Sequence, residues 1–219
     1  MTNGHGPGAS QGVAGGSANI PLTLDPPRTR DAIVQELRRL HGETTAYWTG
    51  FSTAAFLTPL GPSWSPADTV RHLTKSLRGV TRGLTLPRIA LWLAFGPARH
   101  RSRDYDQIRT TYLGVLASGG QAGRYAPRPQ PDIPRPDVWR ATIMERHEIA
   151  AAALQRAVER WSETALDRYQ LPHPLLGKLT VREMLLFTLY HNVHHIHVVA
   201  RRLSASPADR GADSASPIP

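Results

Sequence analysis

Apolar residues recur every three or four positions along four long segments of the chain, and this spacing places them on one face of an α-helix. The segments span about residues 29–51, 65–79, 136–161 and 180–203, and strand-like alternation is essentially absent. About 55 residues separate the second segment from the third, and they include an apolar stretch at 84–95 and an amphipathic one at 105–116. The pattern predicts an all-α fold: a four-helix bundle with a helical insertion between the second and third main helices.

Two of these helices have capping signals at their starts. Ser65-Pro66-Ala67-Asp68 combines a serine that can cap free backbone amides with a proline suited to the first helical position. Thr180-Val181-Arg182-Glu183 has the form of a capping box. We therefore expect the second and fourth helices to begin at these residues.

The composition favours one domain with two tails. A chain of 219 residues with 40% hydrophobic content can bury one core, which we assign to residues 26–203. Residues 1–25 and 204–219 hold little that could pack, and we expect both to be disordered. The start lacks the features of a signal peptide, and the longest apolar stretch, 84–95, is too short to cross a bilayer. We expect a cytoplasmic protein with no transmembrane segment.

A histidine cluster lies inside the fourth predicted helix, where four of the ten histidines fall between residues 191 and 197. His191 and His195 are four residues apart, so they project from the same helix face and can share one divalent metal ion. At 100° per residue, His195 falls within roughly 60° of His191. His194 and His197 fall on the other side, nearer the solvent. Because the chain has no cysteine, only His, Asp and Glu remain as strong ligands.

A third ligand would have to come from another helix. His72 is the best candidate, although it lies beside the apolar stripe of the second predicted helix rather than at its centre. His147 competes with it, because its spacing from Ile143 and Ala150 places it on the apolar face of the third helix. Such a histidine is more often packed or hydrogen-bonded than a ligand.

Two motifs resemble those of the DinB-like (DinB/YfiT) superfamily of metal-binding four-helix-bundle proteins. The first is Trp64-Ser65-Pro66 followed by His72. The second begins at His173-Pro174, continues through Gly177 to Glu183, and leads into His191 and His195. The resemblance covers roughly residues 30–203.

The resemblance implies a metal centre and a type of chemistry. By position its three ligands would be His72, His191 and His195, holding one divalent ion: Zn, Ni, Fe or Mn. Relatives include transferases that use low-molecular-weight thiols such as bacillithiol, and mycothiol-dependent isomerases. The implied function is thus a metal-dependent thiol transferase, isomerase or hydrolase, with a small thiol and an electrophile as partners. Relatives also commonly form homodimers. His173 matches a family position that is not usually a ligand.

This chain departs from the family pattern beside the last histidine. Relatives often carry Arg where this chain has His194, and Gln where it has Val198 or Val199. Neither change removes a predicted ligand, but both alter the chemistry expected around the site. No residue of the sequence stands out as a general base.

The distribution of charge supports an alternative function. Eight basic residues and no acidic residue lie between positions 71 and 103, and four of them recur at helical spacing as one basic stripe. Such a stripe could bind nucleic acid, another acidic partner, or a membrane surface together with residues 84–92. The alternative to an enzyme is therefore a non-catalytic metal-binding stress-response protein, or a protein that binds nucleic acid or another anion through this stripe. No base-reading motif is present, so nucleic acid is the less favoured partner. The eight residues are Arg71, Lys75, Arg78, Arg82, Arg88, Arg99, Arg101 and Arg103.

Overall fold

The computed structural model of the chain describes residues 22–130 and 133–204. The predicted tails, 1–25 and 204–219, lie almost wholly outside these residues. Leu22, within the first of the predicted tails, is buried against the core. No helix in the described residues is both long enough and apolar enough to span a membrane.

The described chain contains eight α-helices, one 3-10 turn (Gly123–Tyr125) and one short hairpin. Four helices have 20 residues or more, and the predictions placed a main helix at each of them. The elements are α1 (Arg30–Thr49), α2 (Thr53–Leu57), α3 (Pro66–Thr85), α4 (Arg88–Phe95), α5 (Tyr105–Ala117), α6 (Pro136–Glu159), α7 (Glu163–Arg168), β1 (Gln170–His173), β2 (Gly177–Thr180) and α8 (Val181–Ser204).

The four long helices enclose one core. Helices α1 and α3 each pack against both α6 and α8, so every long helix has two long neighbours. Within the insertion, α5 packs on α8, and α4 contacts β1. The prediction of an all-α bundle with a helical insertion is confirmed. The largest fully buried side chains are Trp48, Phe56, Ile33, Leu73, Leu91, Ile108, Leu154, Leu166, Leu179, Leu185, Leu189 and Ile196.

Helix α3 is longer than predicted, because it continues past Gly79 to Thr85. Its two late glycines do not end it, since other parts of the protein pack closely over them. A Cβ at Gly79 would lie 2.9 Å from the Tyr125 hydroxyl, and one at Gly83 would lie 2.8 Å from the Leu171 side chain. Packing thus compensates for the low helix propensity of glycine here.

The hairpin was not predicted from the sequence. Strand β1 pairs antiparallel with β2, with Gln170 opposite Thr180 and His173 opposite Gly177. Each strand has only four residues, too few for an alternating pattern to stand out. Gly177 adopts a positive φ of 72°, a conformation that favours glycine.

The buried carboxylate of Glu183 fixes the start of α8. Its side chain is 0% exposed and accepts hydrogen bonds from the amides of Thr180 and Arg103, both at 2.9 Å. The Thr180 hydroxyl accepts in return from the Glu183 amide, which completes the predicted capping box. The Arg103 guanidinium also donates to Glu183 at 2.9 Å. One side chain therefore connects α8, the hairpin and the insertion.

Replacing Glu183 should destabilise the whole bundle. Glu183→Ala leaves two amides and a partly buried guanidinium without an acceptor, so we expect the free energy of unfolding to fall by about 3 kcal/mol. Urea denaturation measures this change. Glu145→Ala, an exposed position on α6, is the control and should change stability by less than about 0.5 kcal/mol. Equal stability of the two variants would contradict the anchoring role.

Candidate metal centre

Three buried histidines converge at the inner side of the bundle. Helix α3 supplies His72, and α8 supplies His191 and His195 one turn apart. Their exposed fractions are 3%, 4% and 1%. The Nε2 atom of His191 lies 3.1 Å from Nε2 of His72 and 3.0 Å from Nε2 of His195. The structure therefore brings together the three side chains that were predicted as ligands.

The hydrogen bond that His72 donates determines which of its nitrogens can bind a cation. Nδ1 lies 3.0 Å from the carbonyl oxygen of Tyr125, which can only accept, so the ring proton sits on Nδ1. The lone pair of a neutral His72 is then on Nε2, directed at the other two histidines. Orientation of a ligand histidine through its second nitrogen is usual at metal sites.

The close contacts among the three rings fit a cation between them. In neutral rings, His191 Nε2 carries at most one proton, yet it has two nitrogen neighbours within 3.1 Å. Because Nε2 of His72 carries none, at most one of the two contacts can be a hydrogen bond. Nitrogen ligands of a tetrahedral zinc ion lie about 3.3 Å from each other, close to the spacing seen here. The donor set thus suits a small divalent metal ion.

Burial keeps all three rings neutral. It lowers the pKa of His72 to about 4, with the charge of Lys75 contributing, and outweighs the hydrogen bond to Tyr125. Burial also lowers the pKa values of His191 and His195 well below the usual 6.5, and the neighbouring histidines lower them further. Neutral imidazoles are the form that coordinates a metal.

Aromatic side chains pack against all three histidines, and Trp64 lies against His72 with ring centroids 5.1 Å apart. Trp64 stacks on His195, with ring centroids 6.3 Å apart and planes inclined by 17°. Phe187 stacks on His191, with centroids 5.0 Å apart and planes inclined by 24°. These rings limit the access of water from their side and hold the imidazole planes in place. Sequence reasoning assigned no role to Phe187, which lies one turn before His191.

The other histidines of α8 occupy different surroundings. His197 is exposed, as its position on the helix predicted. His194 is half-buried rather than solvent-facing, because its ring packs edge-on against Tyr112 at 5.7 Å. The insertion that carries Tyr112 on α5 covers this side of α8.

His147 and His173 each have a local structural partner. His147 is buried, and its Nδ1 lies 3.1 Å from the Thr74 hydroxyl, which itself donates to the Val70 carbonyl. His147 is not among the three histidines whose nitrogens converge. The Nδ1 atom of His173 accepts hydrogen bonds from the amides of Leu175 and Leu176, at 3.2 and 3.1 Å.

A cavity of about 630 Å³ opens beside the histidines. Its size is typical of a site for a small organic molecule. His72, His191 and His173 lie in its wall, together with Lys75, Arg78, Arg82 and Arg124. Among the residues that the structure describes, no Asp or Glu lines this cavity.

The predicted basic stripe is therefore divided by the fold. Three of its four members line the cavity, but Arg71 does not. Arg71 instead pairs with Asp68 at 2.8 Å and lies over the ring of Trp139 at 5.8 Å. The stripe is thus largely the wall of a concave site rather than a flat basic surface.

The metal-free protein should lose stability between pH 6.5 and 4. Burial holds the pKa of His72 and of His147 at about 4, so the unfolded chain takes up protons first as the pH falls. Stability is complete above the unfolded value of 6.5 and declines below it, by about 2 kcal/mol at pH 5 for each fully buried histidine.

Urea denaturation at pH 7.5 and pH 5 checks this dependence. His147→Gln should show a shallower decline than the parent protein, because one buried base has been removed. A parent protein equally stable at both pH values would contradict the neutral, buried state of these rings.

Comparison with known protein families agrees with the fold. The sequence model of the DinB superfamily matches residues 36–199, which include all of α3 and α6, most of α1 and α8, and the three converging histidines. No curated protein sequence and no solved structure shows significant similarity to the chain. Because the match covers well over half of its length, the chain belongs to the DinB superfamily.

Proposed function

We propose that the protein binds one divalent metal ion through the Nε2 atoms of His72, His191 and His195 and uses it in a thiol-dependent transfer or isomerisation. The observation that carries the proposal is the convergence of three buried, neutral imidazoles at the edge of a cavity that can hold a small molecule. Three protein ligands are typical of catalytic sites, which keep a coordination position open, whereas structural sites use four.

A bound Zn, Ni, Fe or Mn ion would supply a Lewis acid that lowers the pKa of a thiol or water. The residues of this chain prepare the site for it. The Tyr125 carbonyl orients His72, and Trp64 and Phe187 hold the rings of His195 and His191. The cavity gives a thiol and an electrophile access to the same place.

His173 contributes a hydrogen-bond donor to the cavity. Its Nδ1 is occupied by the amides of Leu175 and Leu176, so the proton of the neutral ring sits on Nε2. Burial lowers the pKa of His173 to about 4, which keeps the ring neutral at physiological pH. It can therefore orient a substrate oxygen, while no carboxylate among the described lining residues is placed to act as a base.

Metal content tests the ligand assignment directly. Protein purified without a His-tag, and its His72→Ala, His191→Ala and His195→Ala variants, would be examined by elemental analysis after reconstitution with Zn, Ni, Fe or Mn. We expect about one ion per chain in the parent protein and loss of stoichiometric metal in each variant, because two histidines alone bind weakly.

His194→Ala and His197→Ala are the matched controls, since both lie on the same helix outside the converging set. Both should retain the ion. Stoichiometric metal in the His191 and His195 variants would overturn the assignment.

Turnover tests the catalytic part of the proposal. The metal-loaded protein would be incubated with a small thiol and an electrophile, and consumption of the electrophile would be compared with that of the His72→Ala variant. Metal-dependent, thiol-dependent turnover is the expected result. Stoichiometric metal without turnover across a panel of thiols and electrophiles would favour the non-catalytic stress-response alternative.

A further inference from the structure

The cavity wall next to the histidines carries a concentrated positive charge. Lys75, Arg78 and Arg82 come from one face of α3, where their spacing of three and four residues stacks them along the helix. Arg124 lies in a 3-10 turn formed by Gly123–Tyr125 in the insertion and lines the same cavity. Four cationic side chains from two parts of the fold thus surround one space.

Arg78, Arg82 and Arg124 are exposed at the cavity, and they differ from three half-buried arginines elsewhere in the protein. Arg71, Arg103 and Arg182 each pair with a carboxylate at 2.9 Å or less. Within residues 22–130 and 133–204, no salt bridge neutralises Arg78, Arg82 or Arg124. A cavity with several unpaired cations and no described carboxylate in its wall is complementary to an anion.

Helix α3 and the Gly123–Tyr125 turn, which together form this wall, are held close to each other. Tyr125 packs over Gly79, where any Cβ would come within 2.9 Å of its hydroxyl. The Arg124 guanidinium lies over the Tyr125 ring at 5.3 Å, and Lys75 donates to the Ala126 carbonyl. The packing of Tyr125 on Gly79 and the hydrogen bond from Lys75 to Ala126 therefore hold the turn against α3.

We propose that this part of the cavity is an anion-binding subsite, and that the small-molecule substrate carries two or more carboxylate or phosphate groups bound by Arg78, Arg82 and Arg124. The planar guanidinium groups suit either acid, because both accept paired hydrogen bonds. Binding of the anion depends only on the cavity. Its role in positioning a reacting group beside the histidines rests on the proposed function.

The concave shape favours a small acid over a nucleic acid. The cavity volume of about 630 Å³ accommodates a molecule of metabolite size, and Lys75, Arg78, Arg82 and Arg124 all line this one cavity. A nucleic-acid surface would present its cations along an open face to successive phosphates. Binding of a nucleic acid at these residues is accordingly an outcome that the test must be able to detect.

Calorimetry with two probes tests the subsite. Full-length protein freed of metal on a chelating resin would be titrated with propane-1,2,3-tricarboxylate and with pyrophosphate, at low and at high salt. We expect saturable, salt-sensitive binding of at least one acid and none of the neutral propane-1,2,3-tricarboxamide. Tighter binding of the tricarboxylate identifies a carboxylate ligand, and tighter binding of pyrophosphate identifies a phosphate ligand.

Substitutions locate the binding. Arg78→Gln and Arg82→Gln should each weaken binding roughly tenfold. Arg146→Gln removes the same charge from an exposed position on α6 outside the cavity, and it should bind like the parent protein. Circular dichroism and metal content of the variants should match those of the parent, which separates loss of the subsite from loss of the fold or of the metal centre.

Three results would overturn the subsite. These are absence of binding for both acids, equal binding by the Arg78, Arg82 and Arg146 variants, and tight binding of a single-stranded oligonucleotide that neither acid displaces. Metal bound by the histidines with no anion binding would leave the metal centre standing and refute the subsite. Anion binding by a protein that takes up no metal would support the subsite and refute the metal centre.

Discussion

The buried carboxylate of Glu183 is the constraint on which the placement of the candidate centre depends. Charge-assisted hydrogen bonds from Arg103 and from the amide of Thr180 outweigh the burial that would otherwise raise the pKa of this group, and they keep the pKa below its ordinary value. The carboxylate defines the first turn of α8, and His191 and His195 follow on the same continuous helix. The insertion is tied to this point through Arg103, so the elements that meet around the histidines share one anchor.

The sequence carried enough information for the bundle and for the converging histidines. The apolar period of three and four identified all four long helices, and the pairs Ser65–Asp68 and Thr180–Glu183 located two of their starts, because these signals are local. The same-face spacing of His191 and His195 is also local. The prediction of His72 as a ligand depended on the resemblance to a family, because the sequence pattern of its own helix does not indicate which residues of other helices it contacts.

The features that sequence reasoning missed arise from long-range contacts. The end of α3 depends on Tyr125 and Leu171 packing over Gly79 and Gly83. The half-buried state of His194 depends on Tyr112 in the insertion. The partner of His72 is a main-chain oxygen, and no side-chain pattern signals it. Helical spacing identified the basic stripe, but only the folded structure shows that Lys75, Arg78 and Arg82 line one cavity.

The 3-10 turn at Gly123–Tyr125 has a consequence for how such a protein can diversify. It contributes Arg124 to the cavity wall and, one residue later, the carbonyl that holds His72. A change of length or sequence in this connection therefore alters the charge offered to a ligand and the orientation of one imidazole in a single step. Exchange of the insertion between related bundles would transfer both properties as a unit, while the long helices and their core stay the same.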